Sequence, residues 1–358
     1  METTRATPEQ GVEQDAGQSA GRTGIRARMD DVAALAGVTK MTVSRFLREP
    51  ERVALATRQR IEDAVRTLGY LPNHVAGSLK SQRTRVVAVL VPTIQHAVFA
   101  DTIQGLADVC RGQGYHLMLA DTDYSVANED ALIDAFLGRR PDAIVLTGIT
   151  RSPAARVRLV TAGIPLVETW ELTDDPIDSV VGYSNEAAAH AMTVALARRG
   201  YRRIAFVSRP TAGNERTERR EQGYRRAVSD CGLPVLDVPT IGASRSIVPE
   251  DGGRALLDLL ASDPGVDAVF FTNDVYAVGA LAECRRRGIA VPRLGIAGFH
   301  DLDIARMVSP TLTSVRVPAY EIGQRAGELL MRRLAGDASG PRRVELAVTV
   351  MERESTAR

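Results

Sequence analysis

Apolar residues recur at helical spacing between Asp31 and Arg48 and predict two short helices. The inward positions of both helices are Val32, Ala33, Leu35, Ala36, Val43, Phe46 and Leu47. Gly37 gives the backbone the freedom that a sharp turn needs, and Thr39 can cap the second helix by accepting from the N–H of Thr42. The pattern predicts a helix-turn-helix.

The outer face of the second predicted helix is polar or flexible, and it carries Lys40, Met41, Thr42, Ser44 and Arg45. Arginine and lysine can bind guanine acceptors in a DNA major groove, and small hydroxyls, including that of Thr39, can donate to phosphates. An amphipathic hairpin with a solvated face is the alternative. A third helix is predicted over residues 53–68, because Ile61, Ala64, Val65 and Leu68 share one face.

From Val86 onward, continuous apolar runs alternate with helical segments, which is typical of an α/β sheet. The predicted strands cover residues 86–91, 116–120, 143–146, 165–167, 203–207, 268–271, 295–297 and 344–350. The predicted helices cover residues 99–112, 128–138, 154–162, 186–199, 217–231, 251–261 and 275–287. A second run begins near Ser179, so we expect two doubly wound lobes with parallel sheets.

The composition is that of an ordinary globular protein, with 44% hydrophobic and 25% charged residues in a chain of 358. Residues 1–25 lack an apolar period and are predicted to be a disordered tail. We find neither an apolar secretory segment nor a run long enough to span a bilayer. Three scattered cysteines fit a reducing compartment, so we expect a cytoplasmic protein.

Charge is distributed unevenly along the chain. Residues 26–85 contain twelve basic and six acidic side chains, a surplus of six, whereas the whole chain has a net charge of only +1. The rest of the chain therefore carries about five negative charges in excess. A basic N-terminal module favours a phosphate-rich partner, although a chance fluctuation on a solvated surface is the alternative.

Several strings in this order resemble the LacI/GalR family of transcription repressors: Asp31-Val-Ala, Ala36-Gly-Val-Thr, Thr42-Val-Ser-Arg and Gly69-Tyr-Leu-Pro-Asn, with Leu79 downstream. Within the family, residues 38–48 are similar to the gluconate-utilisation repressors. The resemblance implies an all-α helix-turn-helix headpiece at 26–71, a hinge helix and linker at 72–85, and an α/β core at 86–358. That core would consist of two doubly wound parallel-sheet lobes, similar to type I periplasmic binding proteins.

The resemblance also implies that residues 73–79 form a hinge helix when two copies pair over the minor groove. Leu79 matches a leucine that wedges between base steps, and Asn73, Val75 and Ala76 match residues that line the groove. His74 occupies a DNA-contacting position where the family often has arginine, which leaves one phosphate contact open. For Leu79, an ordinary apolar linker residue is the alternative.

Ligands of doubly wound sheets bind beyond the carboxyl ends of the strands, so we expect the pocket in the cleft between the lobes. The predicted effector-binding residues are Gln95, Phe99, Thr147, Trp170, Arg220, Asn273, Asp274 and His300. By resemblance, Arg220 binds the effector and Asn273 and Asp274 accept from sugar hydroxyls; a guanidinium can clamp a carboxylate. Other interpretations are a solvated helix face for Arg220, a core or dimer position for Trp170, an ordinary loop histidine for His300 and a helix cap for Asp274.

No sequence motif indicates an enzyme, because phosphate-binding loops, nucleophile elbows and zinc-protease helices are missing from the sequence. We expect no metal and no cofactor. The resemblance implies a homodimeric repressor of near-palindromic double-stranded operator DNA, released by gluconate or a related sugar acid. A heptad tail is missing after residues 344–350, which favours a dimer over a tetramer. The alternatives are a corepressor-dependent regulator of the same family and a solute-binding receptor without DNA function.

Overall fold

We describe a computed structural model of the chain over residues 27–71, 83–210, 214–242 and 247–358. The chain forms two compact units, one within residues 1–81 and the other within residues 82–358. The described part of the first unit contains the helices α1 (Met29–Ala36), α2 (Lys40–Arg48) and α3 (Leu55–Leu68), with a short 3₁₀ turn at Pro50–Arg52.

The headpiece core confirms the predicted helix-turn-helix. Val32, Val43 and Ile61 are completely buried, and burying such a side chain stabilises a fold by about 1.5–3 kcal/mol. Gly37 turns the chain at φ 62°, and the Thr39 hydroxyl accepts from the Thr42 N–H at 3.3 Å.

Two details of the predicted headpiece are wrong. Leu35 is 54% exposed, because the short helix α1 buries only the face that carries Val32, Ala33 and Ala36. The third helix begins at Leu55 and not at Val53, which is buried in the turn before it.

The second unit contains two separate sheets. Its strands are β1 (Val86–Val91), β2 (His116–Asp121), β3 (Ala143–Thr147), β4 (Leu166–Thr169), β5 (Ser179–Gly182), β6 (Ile204–Val207), β7 (Ala268–Phe271), β8 (Gly295–His300), β9 (Thr313–Arg316), β10 (Arg343–Glu345) and β11 (Thr349–Met351). The first sheet has the order β10-β5-β4-β3-β1-β2 and is parallel throughout. The second has the order β11-β9-β8-β7-β6, and only β11 runs antiparallel.

Helices connect and cover these strands, as the alternating pattern predicts. They are α4 (Ala97–Gly112), α5 (Val126–Gly138), α6 (Pro153–Ala162), α7 (Asn185–Arg198), α8 (Glu215–Asp230), α9 (Pro249–Ser262), α10 (Asp274–Arg287), α11 (Ile304–Met307) and α12 (Ala319–Leu334). The two doubly wound lobes are therefore confirmed, with predicted boundaries mostly within one or two residues, although β5, β9, α11 and α12 were not predicted. No helix of the described ranges is long and apolar enough to cross a membrane.

The chain passes between the two lobes three times within the described core. It leaves the first sheet after β5, returns after β9 to form α12 and β10, and leaves again to form β11. The strand predicted over 344–350 is therefore wrong, because that segment contributes two short strands to different sheets. The second run does not begin at Ser179 either, since β5 pairs with β4 in the first lobe.

Helix α12 packs tightly on α4, and glycines allow the two backbones to approach. A Cβ at Gly323 would lie 1.9 Å from the carbonyl oxygen of Thr102, and one at Gly105 would lie 2.1 Å from that of Tyr320. The Thr102 hydroxyl donates to the Ala319 carbonyl at 2.9 Å, which ties the same two helices together. Through this contact, the helix that follows the second sheet packs on the first lobe.

We expect Gly323→Ala to destabilise the core, because its Cβ would meet backbone that cannot move aside. Overpacking of this kind costs about 1–3 kcal/mol or more. Urea unfolding followed by circular dichroism measures the change. Gly138→Ala is the matched control, since nothing lies within 4 Å of its added Cβ; equal stability of the two variants would contradict the tight packing.

Candidate functional site

The outer face of α2 presents side chains that can reach a nucleic acid. Met41 is 66% exposed, and Lys40 and Arg45 are also exposed. Lys40 forms an exposed ion pair with Asp30 at 2.9 Å, and such a pair contributes only about 0–1 kcal/mol, so it can yield to a phosphate or a base. Thr39 and Thr42 share a hydrogen bond of 2.9 Å between their hydroxyls, and Ser44 is half-buried.

The predicted hinge contacts lie outside the described residues. They are Asn73, His74, Val75, Ala76 and Leu79.

A cavity of about 180 Å³ lies between the carboxyl ends of the two sheets, and we call it the first cavity. Its described wall consists of His96, Val98, Phe99, Tyr124, Trp170, Arg209, Pro210, Asn214, Arg216, Thr217, Arg220, Ile247, Thr272, Asn273, Tyr276 and His300. Both lobes contribute to this wall, as expected for ligand sites at the carboxyl ends of parallel strands. Five of the predicted effector residues are among them: Phe99, Trp170, Arg220, Asn273 and His300.

Arg220 is buried with neutral partners only. Its Nε donates to Asn185 Oδ1 at 2.7 Å and its Nη1 to the carbonyl of Thr272 at 3.1 Å. The guanidinium carbon lies 3.9 Å from the centre of the Phe299 ring, and Nη2 lies 3.4 Å from the Tyr183 hydroxyl. Burial lowers the pKa of Arg220 from its usual range, and no described carboxylate pairs with it. The cavity therefore favours an anion.

Trp170 forms an aromatic part of the same wall. It is 1% exposed and contacts Phe99 and His300 edge to face, with ring centres 5.1 and 6.3 Å away. Its indole N–H is buried and has no hydrogen-bond acceptor among the described residues. A buried donor without an acceptor costs about 1–3 kcal/mol, so this N–H is a candidate ligand contact.

The backbone is strained at Trp170 and His300, two of the three described residues of this wall that have a positive φ. Trp170 has φ 76° and His300 has φ 104°, both in the region that favours glycine. Such residues cost about 1–3 kcal/mol each and persist where the surroundings hold them. The backbone N–H of Trp170 donates to the Val181 carbonyl at 3.1 Å, and the Trp170 carbonyl accepts from the Asn185 side-chain amide at 2.8 Å. These contacts fix the ring at the end of β4.

Three guanidinium groups make the first cavity electropositive. Burial, with Arg209, Arg220 and Arg216 nearby, lowers the pKa of His96 to about 4. Burial and Arg220 also hold the pKa of His300 well below its ordinary value. Both imidazoles are therefore neutral near pH 7, and the arginines carry the positive charge.

A second cavity, of about 240 Å³, adjoins the first and shares Tyr124, Asn214 and Arg216 with it. Its other described wall residues are Pro92, Thr122, Ser125, Val126, Glu129, Thr147, Thr150, Glu215 and Glu218. Glu215 also connects the lobes, because it accepts from the Ile149 N–H at 3.1 Å and pairs with Arg216 at 3.2 Å.

Three predicted effector residues lie elsewhere. Thr147 lines the second cavity, where its hydroxyl donates to the Leu90 carbonyl at 3.1 Å. Gln95 is exposed and lines neither cavity.

Asp274 also lies away from both cavities, because its carboxylate is used within its own lobe. It accepts from the Ser314 hydroxyl at 2.6 Å and from the Leu302 N–H at 2.7 Å. The preceding residue, Asn273, is the cap of α10 and accepts from Val275 at 2.8 Å. The resemblance predicted that Asp274 accepts from sugar hydroxyls, but its carboxylate instead holds the loop after β8.

Several wall residues were not predicted from the sequence. Arg216 lies four residues before Arg220 on α8, so helical spacing places both on one face, and both are buried. That spacing could have identified it. Tyr124 and Arg209 lie in connecting loops without any periodic pattern, and nothing in the local sequence marks them. No group of three or more potential metal ligands occurs in the part of the chain that the structure describes.

Comparisons with known proteins agree with this architecture. The family profile described as bacterial regulatory proteins of the lacI family matches residues 28–73, and the profile of a periplasmic binding protein-like domain matches residues 193–356. The HTH-type transcriptional regulator GntR of Escherichia coli is 37% identical over 327 residues, which cover 91% of this chain and 97% of GntR.

The chain belongs to the LacI family of transcriptional regulators. GntR of Pseudomonas aeruginosa is also 37% identical, over 94% of this chain and 97% of its own. The crystal structure of a LacI family regulator from Silicibacter pomeroyi is 30% identical and has a TM-score of 0.86, covering 93% of this chain and all of that one. This LacI-family protein is thus a DNA-binding transcriptional repressor related to GntR, and not an enzyme.

We expect Arg45→Ala to abolish the preference for operator DNA but to leave weak, salt-sensitive binding to any duplex. A lost guanine contact costs about 1–3 kcal/mol of discrimination. Fluorescence anisotropy with operator and scrambled duplexes measures both affinities. Arg48→Ala removes the same charge from the end of α2, where Arg48 donates to the Ser44 carbonyl, and serves as the control. Unchanged operator preference in Arg45→Ala would refute a base-reading role.

The affinity for an anion should be nearly independent of pH between about pH 6 and about pH 8. His96, with a pKa of about 4, and His300 both stay neutral in this range, so neither adds positive charge as the pH falls. A histidine with an ordinary pKa of about 6.5 would gain charge and strengthen binding. Calorimetric titration with gluconate at several pH values tests this, and a tenfold rise in affinity toward pH 6 would contradict it.

Proposed function

We propose that this repressor is a homodimer that releases a near-palindromic operator when gluconate or a related sugar acid binds the first cavity. The observation that carries the proposal is the buried Arg220, a cation with neutral partners only, at the centre of a wall with three arginines. A carboxylate can accept two parallel hydrogen bonds from a guanidinium. The relationship to GntR supports the same class of effector.

The aromatic wall supports the sugar part of this ligand. Trp170 and Phe99 offer apolar faces for a carbon chain, and the Trp170 N–H can donate to a hydroxyl or carboxylate oxygen. Asn273 and Tyr276 add polar groups to the same wall. Such a mixture of apolar faces and few polar groups suits a small hydroxylated acid.

We propose that ligand binding acts through the angle between the lobes. Phe99 and Trp170 belong to the first lobe, whereas Arg220 and Asn273 belong to the second, so one ligand contacts both. A change of angle would separate the paired hinge segments at residues 72–85 and loosen the headpieces on DNA. The effector controls DNA only through its different affinity for the two forms. Acting on chromosomal DNA, the repressor would work in the cytoplasm.

A gel shift with operator DNA, with and without gluconate, tests this function. We expect binding without the acid and release with it, because the acid favours the form with separated hinges. Tighter binding in the presence of gluconate would indicate a corepressor-dependent regulator. Absence of any shift at low ionic strength would favour a receptor without DNA function.

We expect Arg220→Ala to repress normally but to ignore the acid. The substitution removes a buried charge whose described partners are neutral, so it leaves no described carboxylate unpaired, while it removes the predicted carboxylate contact. A loss of at least about tenfold in gluconate affinity is expected for a charged hydrogen bond. Calorimetry measures the affinity, and operator binding confirms that the variant is folded. Full affinity for gluconate in this variant would refute the predicted contact between Arg220 and the carboxylate of the ligand.

A further inference from the structure

The N-terminal end of α8 reaches across to the first lobe. Glu215 is the first residue of this helix, and its Oε1 accepts from the backbone N–H of Ile149 at 3.1 Å. Ile149 follows β3 of the first sheet, whereas α8 follows β6 of the second. The same carboxylate pairs with Arg216 at 3.2 Å, and its side chain is only 16% exposed. The contact is therefore a direct, largely shielded hydrogen bond between the two lobes.

Gly148 leaves the space that the Glu215 side chain occupies. A Cβ at Gly148 would lie 2.3 Å from Glu215 Oε1 and 2.7 Å from Arg216 Nη1, so another residue would collide with both side chains. Gly148 also has φ 90°, in the region that favours glycine. The first lobe thus presents a backbone N–H and an open position to a carboxylate of the second lobe.

The loop that receives Glu215 is fixed within the first lobe. The N–H of Gly148 donates to the Thr169 carbonyl at 2.8 Å, and the carbonyl of Gly148 accepts from Arg151 Nη2 at 2.7 Å. Arg151 is itself paired with the buried Glu168 at 2.6 Å. A loop held in this way does not follow Glu215, so a change in the angle between the lobes breaks their hydrogen bond.

The contact lies away from the crossovers about which the lobes can turn. The chain first leaves the first lobe after β5, and β4 separates β5 from β3. Neighbouring strands lie about 4.8 Å apart, so the end of β3 is about 10 Å from that crossover. A rotation about the crossovers therefore moves Glu215 and Ile149 apart by more than it moves groups beside the crossover, such as Asn185.

We infer that Glu215 is a latch that holds the two lobes at the angle that this structure shows, and that the latch sets how strongly the free protein binds its operator. The latch and a ligand in the first cavity favour the same angle, because both connect the lobes when the cleft is closed. The effect on DNA rests on the proposed function, in which the ligand-binding form releases the operator. Loss of the latch should therefore strengthen operator binding without any ligand.

Acrylamide quenching of tryptophan fluorescence in the ligand-free, full-length protein tests the latch directly. Trp170 is the only tryptophan of the chain, is 1% exposed and contacts His300 of the second lobe. We expect Glu215→Ala to raise the quenching constant at least about twofold, because separated lobes no longer cover the indole ring. Glu215→Gln keeps an oxygen for the Ile149 N–H and should give a smaller rise. An unchanged quenching constant in Glu215→Ala would overturn the inference.

Glu221→Ala is the matched control. Glu221 lies on the same helix and pairs with Arg225 at 2.8 Å within that helix, so it does not connect the lobes. We expect its quenching constant to equal that of the unmodified protein. An equal rise in Glu221→Ala and Glu215→Ala would also overturn the inference, because it would report a weakened α8 and not an open cleft.

Operator binding by the same variants supplies the second measurement. By fluorescence anisotropy without ligand, we expect Glu215→Ala to bind operator about twofold to tenfold more tightly and Glu221→Ala to be unchanged. A residue that only stabilised the fold would not tighten binding when removed. An operator affinity that stays the same in Glu215→Ala would overturn the control of DNA by the latch.

The two measurements separate this inference from the proposed function. If quenching rises but operator binding weakens, the latch stands, and the proposed assignment of the releasing form fails. If quenching does not rise, the latch fails, even where gluconate releases the operator as proposed.

Discussion

The structure depends on a positive charge that the core buries without a negative partner. Arg220 is held by the side chains of Asn185 and Tyr183, by the Thr272 carbonyl and by the face of Phe299. Neutral dipoles and a ring orient the guanidinium but form no ion pair with it, and a buried cation without an ion-pair partner is unfavourable, although the nearby Glu171 stabilises its charge. An anion in the first cavity would relieve this cost, which is the physical basis of the proposed sugar-acid effector.

Some residues of the cavity, or their direct partners, also connect the two lobes. Asn185 lies where the chain crosses to the second lobe, and it contacts both Arg220 and the Trp170 carbonyl. Glu215 reaches across to the Ile149 N–H and is paired with Arg216, which lines both cavities. A ligand that draws on Arg216 or Arg220 therefore acts on groups that also hold the lobes together. We expect the binding free energy of the ligand to depend on the angle between the two lobes.

Local patterns in the sequence predicted most elements, because helices and buried strands carry their own periodicity. They did not predict that residues 344–350 divide between two sheets, since strand pairing is a long-range property. Phe99, Trp170, Asn273 and His300 could be placed at the cavity because they follow strands. A position after a strand does not by itself place a side chain in the cavity. Asp274 directly follows Asn273, but its carboxylate accepts from the Ser314 hydroxyl inside the second lobe.

We propose that effector and operator compete through the two forms of this repressor. Thermodynamic linkage requires that operator DNA weaken gluconate binding by the same factor by which gluconate weakens operator binding. The most direct test is to measure the dissociation constant of gluconate for the free protein and for the protein saturated with operator. We expect gluconate to bind the DNA complex more weakly by that factor. Equal dissociation constants with and without operator would contradict it.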